Sequence, residues 1–179
     1  MLKTVDQAIK EGDMRININL EDGYLPDTYG KYAAPADSVH ASCVRSFPFQ
    51  VEDIPAETQA LGILFYDWDS TTVCGFPWIH WCSFLTGPFE GALSVPDDIS
   101  RKGAPNLFNG YNSSVKSDAQ TAIGYLGPCP PDCDHCYTLR VFALDSAEIL
   151  KKPFYANELV HIVREHVIDE AQCLMWGRS

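Results

Sequence analysis

The chain has 179 residues, 46% of them hydrophobic, which is enough for one well-buried core and short for two. We therefore expect a single domain over residues 1–179. Thirteen basic and 24 acidic residues give a formal net charge of −11, and no lysine or arginine cluster offsets it locally. Nucleic acid and anionic membrane surfaces are therefore not expected as partners. No apolar run approaches the ~20 residues of a membrane span, so membrane insertion is not expected either.

The cysteines and the N-terminus together predict a cytoplasmic protein. Seven cysteines is an odd number, and Cys74 and Cys82 lie inside apolar, strand-like runs. This usage is typical of reduced and mostly buried thiols. The N-terminal residues turn acidic before an apolar stretch develops, so no export signal is expected.

The first predicted element is a half-buried strand, because apolar residues at Met14, Ile16, Ile18 and Leu20 alternate with polar ones. Further strands are predicted at 61–66, 78–85 and 137–144, each bounded by Gly, Pro or Asp. These short, turn-separated runs favour an all-β sandwich. Residues 87–127 are rich in Gly, Pro, Asn and Ser and are predicted to form a long functional loop.

Helix is predicted mainly at the C-terminus, so that the fold is all-β with a minor helical part. Leu159, Val163, His166, Val167 and Leu174 recur at helical spacing. We expect Asn157 to cap this helix at its N-terminus and Gly177 to end it. A short helix at 146–150 is a further expectation.

Three polar pairs with i,i+2 spacing lie beside the apolar runs. They are Asp67/Asp69, Trp78/His80 and His135/Tyr137. Because alternate side chains of a strand point to one face, each pair can present two groups to one cavity. Two imidazoles, two carboxylates, an indole and a phenol suit a small polar or anionic ligand. The segment 127–131, Gly-Pro-Cys-Pro-Pro, is the candidate mouth of this pocket.

Five short motifs occur in one order along the chain. They are Asp67-Trp68-Asp69, Trp78-Ile79-His80-Trp81, Gly127-Pro128-Cys129-Pro130-Pro131, His135-Cys136-Tyr137 and Val141-Phe142-Ala143-Leu144-Asp145. Each motif is weak alone, but the ordered series resembles the phosphatidylethanolamine-binding protein family, and specifically its prokaryotic Raf-kinase-inhibitor-like branch. The resemblance runs from about Ser46 to the predicted C-terminal helix.

The resemblance implies a β-sandwich of two antiparallel sheets with a small pocket for phosphate-like anions. By the same resemblance, the residues that line or shape this pocket are Asp67, Trp78, His80, Gly127, Pro128, His135 and Tyr137. One departure lies beside Asp69, where the family's Asp-Pro-Asp-Ala-Pro is replaced by Asp-Trp-Asp-Ser-Thr at 67–71. Two prolines that stiffen this loop are therefore missing.

The residue types explain how such an acidic protein could bind an anion. Imidazole nitrogens and backbone N–H groups of the Gly-Pro loop can donate to phosphate oxygens without Lys or Arg. Asp67 would orient one histidine and favour its protonated form. The alternative for each residue taken alone is a purely structural role. In that case the two carboxylates close turns, Trp78 packs in the core, and both histidines make hydrogen bonds only within the protein.

Two alternatives use the same residues for other chemistry. A small hydrolase or lyase could use His80, His135 and Asp67 as acid–base groups. The spacing Cys129-x3-Cys133-x2-Cys136 matches that of thiolates that hold a four-iron cluster, and with His135 it could also hold zinc. A cluster enzyme of that kind is normally a much longer α/β barrel, so cluster binding is disfavoured.

The sequence is therefore interpreted as that of a non-catalytic binding protein that needs no cofactor. Its expected ligand is a phosphate-type anion or a phosphorylated head group, and its expected role is ligand-dependent recognition of another molecule. A protein partner is not identified by the sequence, and a homodimer is one option.

Overall fold

The computed structural model describes residues 12–148 and 152–179. Within these ranges the chain forms ten strands and three α-helices. The strands are β1 Arg15–Asn17, β2 Ser38–Val39, β3 Ser42–Cys43, β4 Phe49–Glu52, β5 Ala60–Asp67, β6 Trp78–Thr86, β7 Ala92–Val95, β8 Leu107–Asn109, β9 His135–Leu144 and β10 Val167–Gly177. The α-helices are α1 Thr71–Cys74, α2 Ile99–Lys102 and α3 Ala156–His166. Single 3-10 turns lie at Asp27–Tyr29, Pro35–Asp37 and Ser113–Lys116.

The described strands form two main antiparallel sheets. The larger sheet has five strands in the order β10-β9-β5-β6-β8, and the smaller has the order β1-β4-β7. A separate two-stranded ribbon joins β2 and β3. The expected all-β sandwich with a minor helical part is thus confirmed, and the four predicted strands correspond to β1, β5, β6 and β9.

The main core lies between the two sheets. Its contributors from β5 are Leu61, Ile63 and Phe65, which alternate along one face of that strand. Phe49 and Val51 of β4 meet them from the smaller sheet. The period of two in the apolar residues of β5 therefore determines which side chains face the smaller sheet.

The other face of the five-stranded sheet is buried as well. Leu64 and Phe142 contact Phe154 and Leu159, the latter from α3, in a second apolar cluster. A Cβ added to Gly62 would lie 2.9 Å from Leu159 Cδ1, so glycine lets the helix approach the sheet. Burial on both faces explains why the run in β5 is apolar almost without interruption.

The C-terminal segment differs from the prediction. The helix ends at His166, and residues from Val167 onward form β10, an eleven-residue strand that pairs with β9. Its N-cap is Tyr155, which forms a capping box with Glu158, and Asn157 lies inside the helix. Residues 167–177 can hydrogen-bond along the whole of β9, and this pairing outweighs the helical spacing that predicted a longer helix.

The segment 87–127 is also more ordered than predicted. It contributes β7 to the smaller sheet and β8 to the edge of the larger one, with α2 between them. In the predicted helix at 146–150, residues 146–148 are not helical, and 149–150 lie outside the described residues. Among the described helices, none combines the length and the apolar character that a membrane crossing requires.

Candidate functional site

A pocket of about 250 Å³ opens where β5, β6 and β9 meet the loops around them. Six of the eight predicted ligand-binding residues line it, namely Asp67, Trp78, His80, Gly127, His135 and Tyr137. The remaining lining residues are Ser42, Ser70, Val73, Cys74, Leu126, Cys129, Pro130 and Pro131. Strand pairing explains part of the convergence, because Asp67 is opposite Trp78 on one side and Tyr137 on the other.

A β-bulge positions His80 in this pocket. Phe65 pairs with Trp81 and Tyr66 pairs with Ile79, so His80 is an extra residue in β6. As a result, His80 and Trp81 both lie on the side of the sheet that faces the main core. The ring of His80 packs at 5.7 Å from Phe65 and 5.1 Å from Tyr137, measured between ring centroids. Bulges commonly re-aim side chains next to functional sites.

His80 is held as a neutral imidazole. Its Nδ1 lies 2.7 Å from the carbonyl oxygen of Leu126, and a carbonyl only accepts, so Nδ1 carries the hydrogen. Burial lowers the pKa of His80 to about 4. The remaining nitrogen, Nε2, is therefore a hydrogen-bond acceptor at neutral pH, which differs from the expectation that both histidines donate to an anion.

His135 is buried between two carboxylates. Its Nδ1 lies 2.7 Å from Asp67 Oδ2, and its Nε2 lies 2.9 Å from Asp132 Oδ1. Burial alone would lower the pKa of His135, but the hydrogen bonds to Asp67 and Asp132 outweigh it and raise the pKa above its usual range. Ionised carboxylates only accept, so both ring nitrogens donate and the ring is an imidazolium.

Asp67 is the buried carboxylate that organises this pair. Its second oxygen, Oδ1, accepts the backbone N–H of Ser70 at 3.1 Å. The single hydrogen of the Ser70 hydroxyl has two carbonyl acceptors, Asp67 at 2.8 Å and Phe76 at 3.0 Å, and its oxygen accepts the N–H of Trp78. This hydroxyl is therefore occupied by internal hydrogen bonds. Burial raises the pKa of Tyr137 well above its usual range, so the phenol remains protonated.

Asp69 and Pro128, the other two predicted ligand-binding residues, do not line the pocket. Asp69 Oδ2 accepts the backbone N–H of Cys136 at 2.8 Å and thereby ties the end of β5 to β9. Pro128 packs between Gly30 and Gly177, where added Cβ atoms would lie 3.8 Å and 2.9 Å from its own Cβ. Both residues lie behind the pocket lining and support the segments that form it.

The Gly-Pro loop does not supply the expected donor at its first position. The N–H of Gly127 donates to the carbonyl oxygen of Cys43 at 2.8 Å. A Cβ on Gly127 would lie 2.5 Å from the carbonyl oxygen of Tyr29, so this position needs glycine for close approach of two backbones. The loop therefore gives the pocket its shape and an apolar wall.

Asp132 is the site residue that sequence reasoning missed. Asp132 lies between the third and fourth motifs and belongs to none of the five. Its position three residues before His135, in the turn before β9, could have indicated a contact with that histidine. The pairing with His135 lowers the pKa of Asp132. Its side chain is 51% exposed, so this carboxylate contacts both the buried imidazolium and solvent.

The thiols near the mouth are free cysteines. Cys129 and Cys133 are exposed, and Cys136 is partly exposed. Strand alternation places Cys136 on the face of β9 opposite to that of His135 and Tyr137. Within residues 12–148 and 152–179, the group of close ligand atoms is Asp132, Cys133 and His135, and it is not the predicted set of three thiols.

An apolar rim adjoins the polar pocket. The rings of Phe76 and Trp78 are stacked with centroids 5.8 Å apart. Phe76 and Val73 are exposed, and Val73 lines the pocket together with Trp78. The site thus combines one buried charge pair with an apolar surface for the remainder of a ligand.

The family model described as phosphatidylethanolamine-binding protein matches residues 17–175 of this chain, so the chain belongs to that family. The uncharacterized protein YxkA of Bacillus subtilis is 36% identical over 169 residues, which cover 91% of this chain and 99% of YxkA. A UPF0098 protein of Methanothermobacter thermautotrophicus is 29% identical over 71% of this chain and 78% of its own.

Two solved structures share the fold. The phosphatidylethanolamine-binding protein homolog CT736 from Chlamydia trachomatis superposes with a TM-score of 0.72 at 22% identity, covering 93% of this chain and 97% of CT736. Escherichia coli YbcL, described as a new member of the mammalian family, has a TM-score of 0.73 at 18% identity and covers 94% and 99%. The two superpositions confirm the fold, and the family-model match confirms the family, that the five motifs indicated.

Proposed function

We propose that this protein binds a small phosphate-type anion or a phosphorylated head group in the pocket around His135, without catalysing a reaction. The observation that supports it is the contact between His135 Nε2 and Asp132 Oδ1 at 2.9 Å. A carboxylate oxygen of the chain itself, Asp132 Oδ1, accepts the hydrogen bond that Nε2 of the buried imidazolium donates. An external anion that displaces this half-exposed carboxylate would accept the same charge-assisted hydrogen bond.

Asp67 prepares His135 for this role. It accepts from Nδ1 and leaves Nε2 as the nitrogen that points away from the buried carboxylate. Asp67 is 3% exposed and His135 1%, so the two side chains are held by packing and lose little entropy when a ligand binds. The anion then replaces Asp132 in a site that is already organised.

His80 restricts the ligand to one that also donates. Because its Nε2 accepts at neutral pH, it would repel a fully deprotonated phosphate oxygen and would accept from a P–OH, a hydroxyl or an ammonium group. The stacked rings of Phe76 and Trp78 provide an apolar surface beside it. A phosphomonoester with a donor and a small organic part matches all three features.

The experiment is an affinity titration of chelator-treated protein with inorganic phosphate and with phosphoethanolamine, followed by calorimetry and by tryptophan fluorescence. His135→Asn keeps a donor near Asp67 and removes Nε2, so it should weaken binding by roughly 10–100-fold, the value of one charge-assisted hydrogen bond. Asp132→Asn removes the competing carboxylate and should strengthen binding.

A matched control is His166→Asn, since His166 pairs with Asp145 at 2.9 Å at the end of α3 and away from the pocket. Its affinity should equal that of the wild type. Circular dichroism of each variant verifies the fold. Equal affinities of the wild type, His135→Asn and Asp132→Asn, all folded, would contradict the anion site.

The regulatory part of the proposal is that occupancy changes recognition of another protein. It follows from the position of Asp132, which leaves the imidazolium when the ligand binds and is then free to contact solvent or a partner. Immobilised wild-type protein should retain a partner differently with and without saturating phosphate. The His135→Asn variant should show no such difference.

A further inference from the structure

Three side chains in and beside the turn before β9 bring a carboxylate, a thiol and an imidazole together. The ligand atoms of Asp132, Cys133 and His135 all lie within 4.8 Å of one another. Asp132 and Cys133 are exposed, whereas His135 is buried, so the group has one rigid member and an open approach from solvent. Carboxylate oxygen, thiolate sulfur and imidazole nitrogen are the three donor types through which protein side chains bind zinc.

His135 has the environment of a metal-binding histidine. Its Nδ1 donates to the buried carboxylate of Asp67 at 2.7 Å. A metal-ligating imidazole almost always donates its other N–H to a carboxylate or carbonyl, which orients the ring and increases its basicity. In the deprotonated ring the lone pair of Nε2 is directed toward Asp132 Oδ1, and Cys133 Sγ lies within 4.8 Å of both atoms.

The distances need only a small adjustment to hold an ion. Ligand bonds of tetrahedral zinc place a nitrogen and an oxygen ligand ~3.3 Å apart, and a nitrogen and a sulfur ligand ~3.6 Å apart. His135 Nε2 and Asp132 Oδ1 are now 2.9 Å apart in a direct hydrogen bond. The pairs that involve Cys133 Sγ lie within 4.8 Å, so they close by at most ~1.2 Å to reach the zinc spacing. Because Asp132 and Cys133 are exposed, both can move by this amount without disturbing the core.

The local charge favours a cation at this position. Asp69 and Asp134 add negative charge near Cys133, and each already has its own partner, the N–H of Cys136 and of Ser179 respectively. The residues that line the pocket include neither Lys nor Arg. The nearby Lys31 ammonium is held by the carbonyl oxygen of Pro130 at 3.1 Å.

We propose that Asp132 Oδ, Cys133 Sγ and His135 Nε2 bind a divalent transition-metal ion, with Zn²⁺ as the best match, and leave one position to water or an external ligand. Asp67 acts as the outer-shell partner that positions His135. This inference does not rest on the proposed anion binding. Metal and anion compete for the same Nε2, so each is tested in the absence of the other.

The test uses the full-length protein, treated with a chelator and kept in reduced, phosphate-free buffer. Zn²⁺ affinity is measured by competition with a chromophoric chelator, and Co²⁺ is added separately as a spectroscopic probe. The wild type should bind one equivalent of Zn²⁺, and Co²⁺ should give a thiolate charge-transfer band and visible bands of a four-coordinate ion. Asp67→Asn should weaken Zn²⁺ binding by roughly 10–100-fold, as outer-shell changes do.

Ligand variants distinguish this set from the three thiols. Cys133→Ser and Asp132→Asn should each weaken Zn²⁺ binding more than Asp67→Asn does, and Cys133→Ser should also remove the charge-transfer band. Cys136→Ser is the matched control and should leave both readouts unchanged. Zn²⁺ binding that is insensitive to Cys133→Ser, or that is lost in Cys136→Ser but kept in Asp132→Asn, would overturn the proposed ligand set.

The two proposals fail separately. Asp132→Asn should strengthen phosphate binding in chelator-treated protein and should weaken Zn²⁺ binding in phosphate-free buffer. Phosphate affinity that is equal in the wild type, His135→Asn and Asp132→Asn contradicts the anion site only, and Zn²⁺ affinity that is unchanged in Asp132→Asn contradicts the metal site only.

Discussion

Burial of His80 should make the protein less stable as the pH falls from 6.5 to 4. His80 is 6% exposed, and burial lowers its pKa from 6.5 to about 4 in the folded state. Between these two values the unfolded chain binds a proton that the folded chain does not bind. The free energy of unfolding therefore rises with pH across this window. The contribution of neutral His80 to stability is lost as the pH falls from 6.5 to 4.

The size of this effect follows from the two pKa values. A shift of that size corresponds to roughly 3 kcal/mol when the whole window is crossed, and to about 2 kcal/mol near pH 5. Other shifted groups act outside the window. The raised pKa of His135 affects stability above pH 6.5, and the lowered pKa of carboxylates such as Asp132 affects it below 3.8.

The assay is urea denaturation followed by circular dichroism at neutral pH and near pH 5. His80→Asn keeps an N–H near the carbonyl of Leu126 but cannot be protonated, so its unfolding free energy should change by about 2 kcal/mol less than that of the wild type between the two conditions. His161→Asn, an exposed position of α3, is the control and should follow the wild type.

The comparison is between pH dependences and not between absolute stabilities, because His80→Asn also removes ring contacts with Phe65 and Tyr137. An equal loss of unfolding free energy in the wild type and in His80→Asn between the two pH values would refute the prediction. In that case His80 would have a similar pKa in the folded and unfolded states.

Three further predictions concern packing and accessibility. Gly127→Ala should destabilise the protein by roughly 1–3 kcal/mol in urea denaturation, because the added Cβ would lie 2.5 Å from the carbonyl oxygen of Tyr29. Phe154→Ala should cost about 3–5 kcal/mol by the same measurement, since the fully buried ring joins α3 to the sheet. In thiol labelling of the native protein, Cys43 and Cys82 should stay unmodified, because burial raises the pKa of both thiols, that of Cys43 to about 11. The thiols expected to react are Cys74, Cys129 and Cys133.

Each of these predictions has an outcome that would contradict it. A Gly127→Ala variant as stable as the wild type would mean that the two backbones separate easily. Tyr155→Ala, next to Phe154 but 48% exposed, is the control for the core variant and should cost much less. Rapid labelling of Cys82 in the native state would show that the face of the sheet under α3 opens readily.

The central strands were predictable because their pattern of apolar and polar residues indicates which faces are buried. β5 is apolar on both faces, and β1 alternates, so each pattern has one structural explanation. The predicted C-terminal helix is confirmed over Ala156–His166, but its predicted extension to Gly177 was wrong. Nothing in the spacing of the residues after His166 marks the change to a strand. Pairing of β10 with β9 decides it, and that pairing is a contact between distant parts of the chain.

In the pocket, too, some features follow from local sequence patterns and others depend on strand pairing. The pairs around Asp67, His80 and His135 were visible because i,i+2 spacing on a strand identifies a shared face. The bulge at His80 was not visible, and without it continuous alternation would place His80 with Cys82 on the face that packs against α3. A bulge depends on the register of two strands, which no local pattern specifies.

The sequence alone determined the fold class, the family and most of the polar residues around the pocket, because these depend on residue types and short spacings. Only the tertiary structure decided that Asp132 contacts His135 Nε2 and that Asp69 supports Cys136 from outside the pocket. It also decided that His80 is neutral, since desolvation depends on every group packed around the ring. Charge state and contact partners are properties of the assembled surroundings, and a one-dimensional pattern does not contain them.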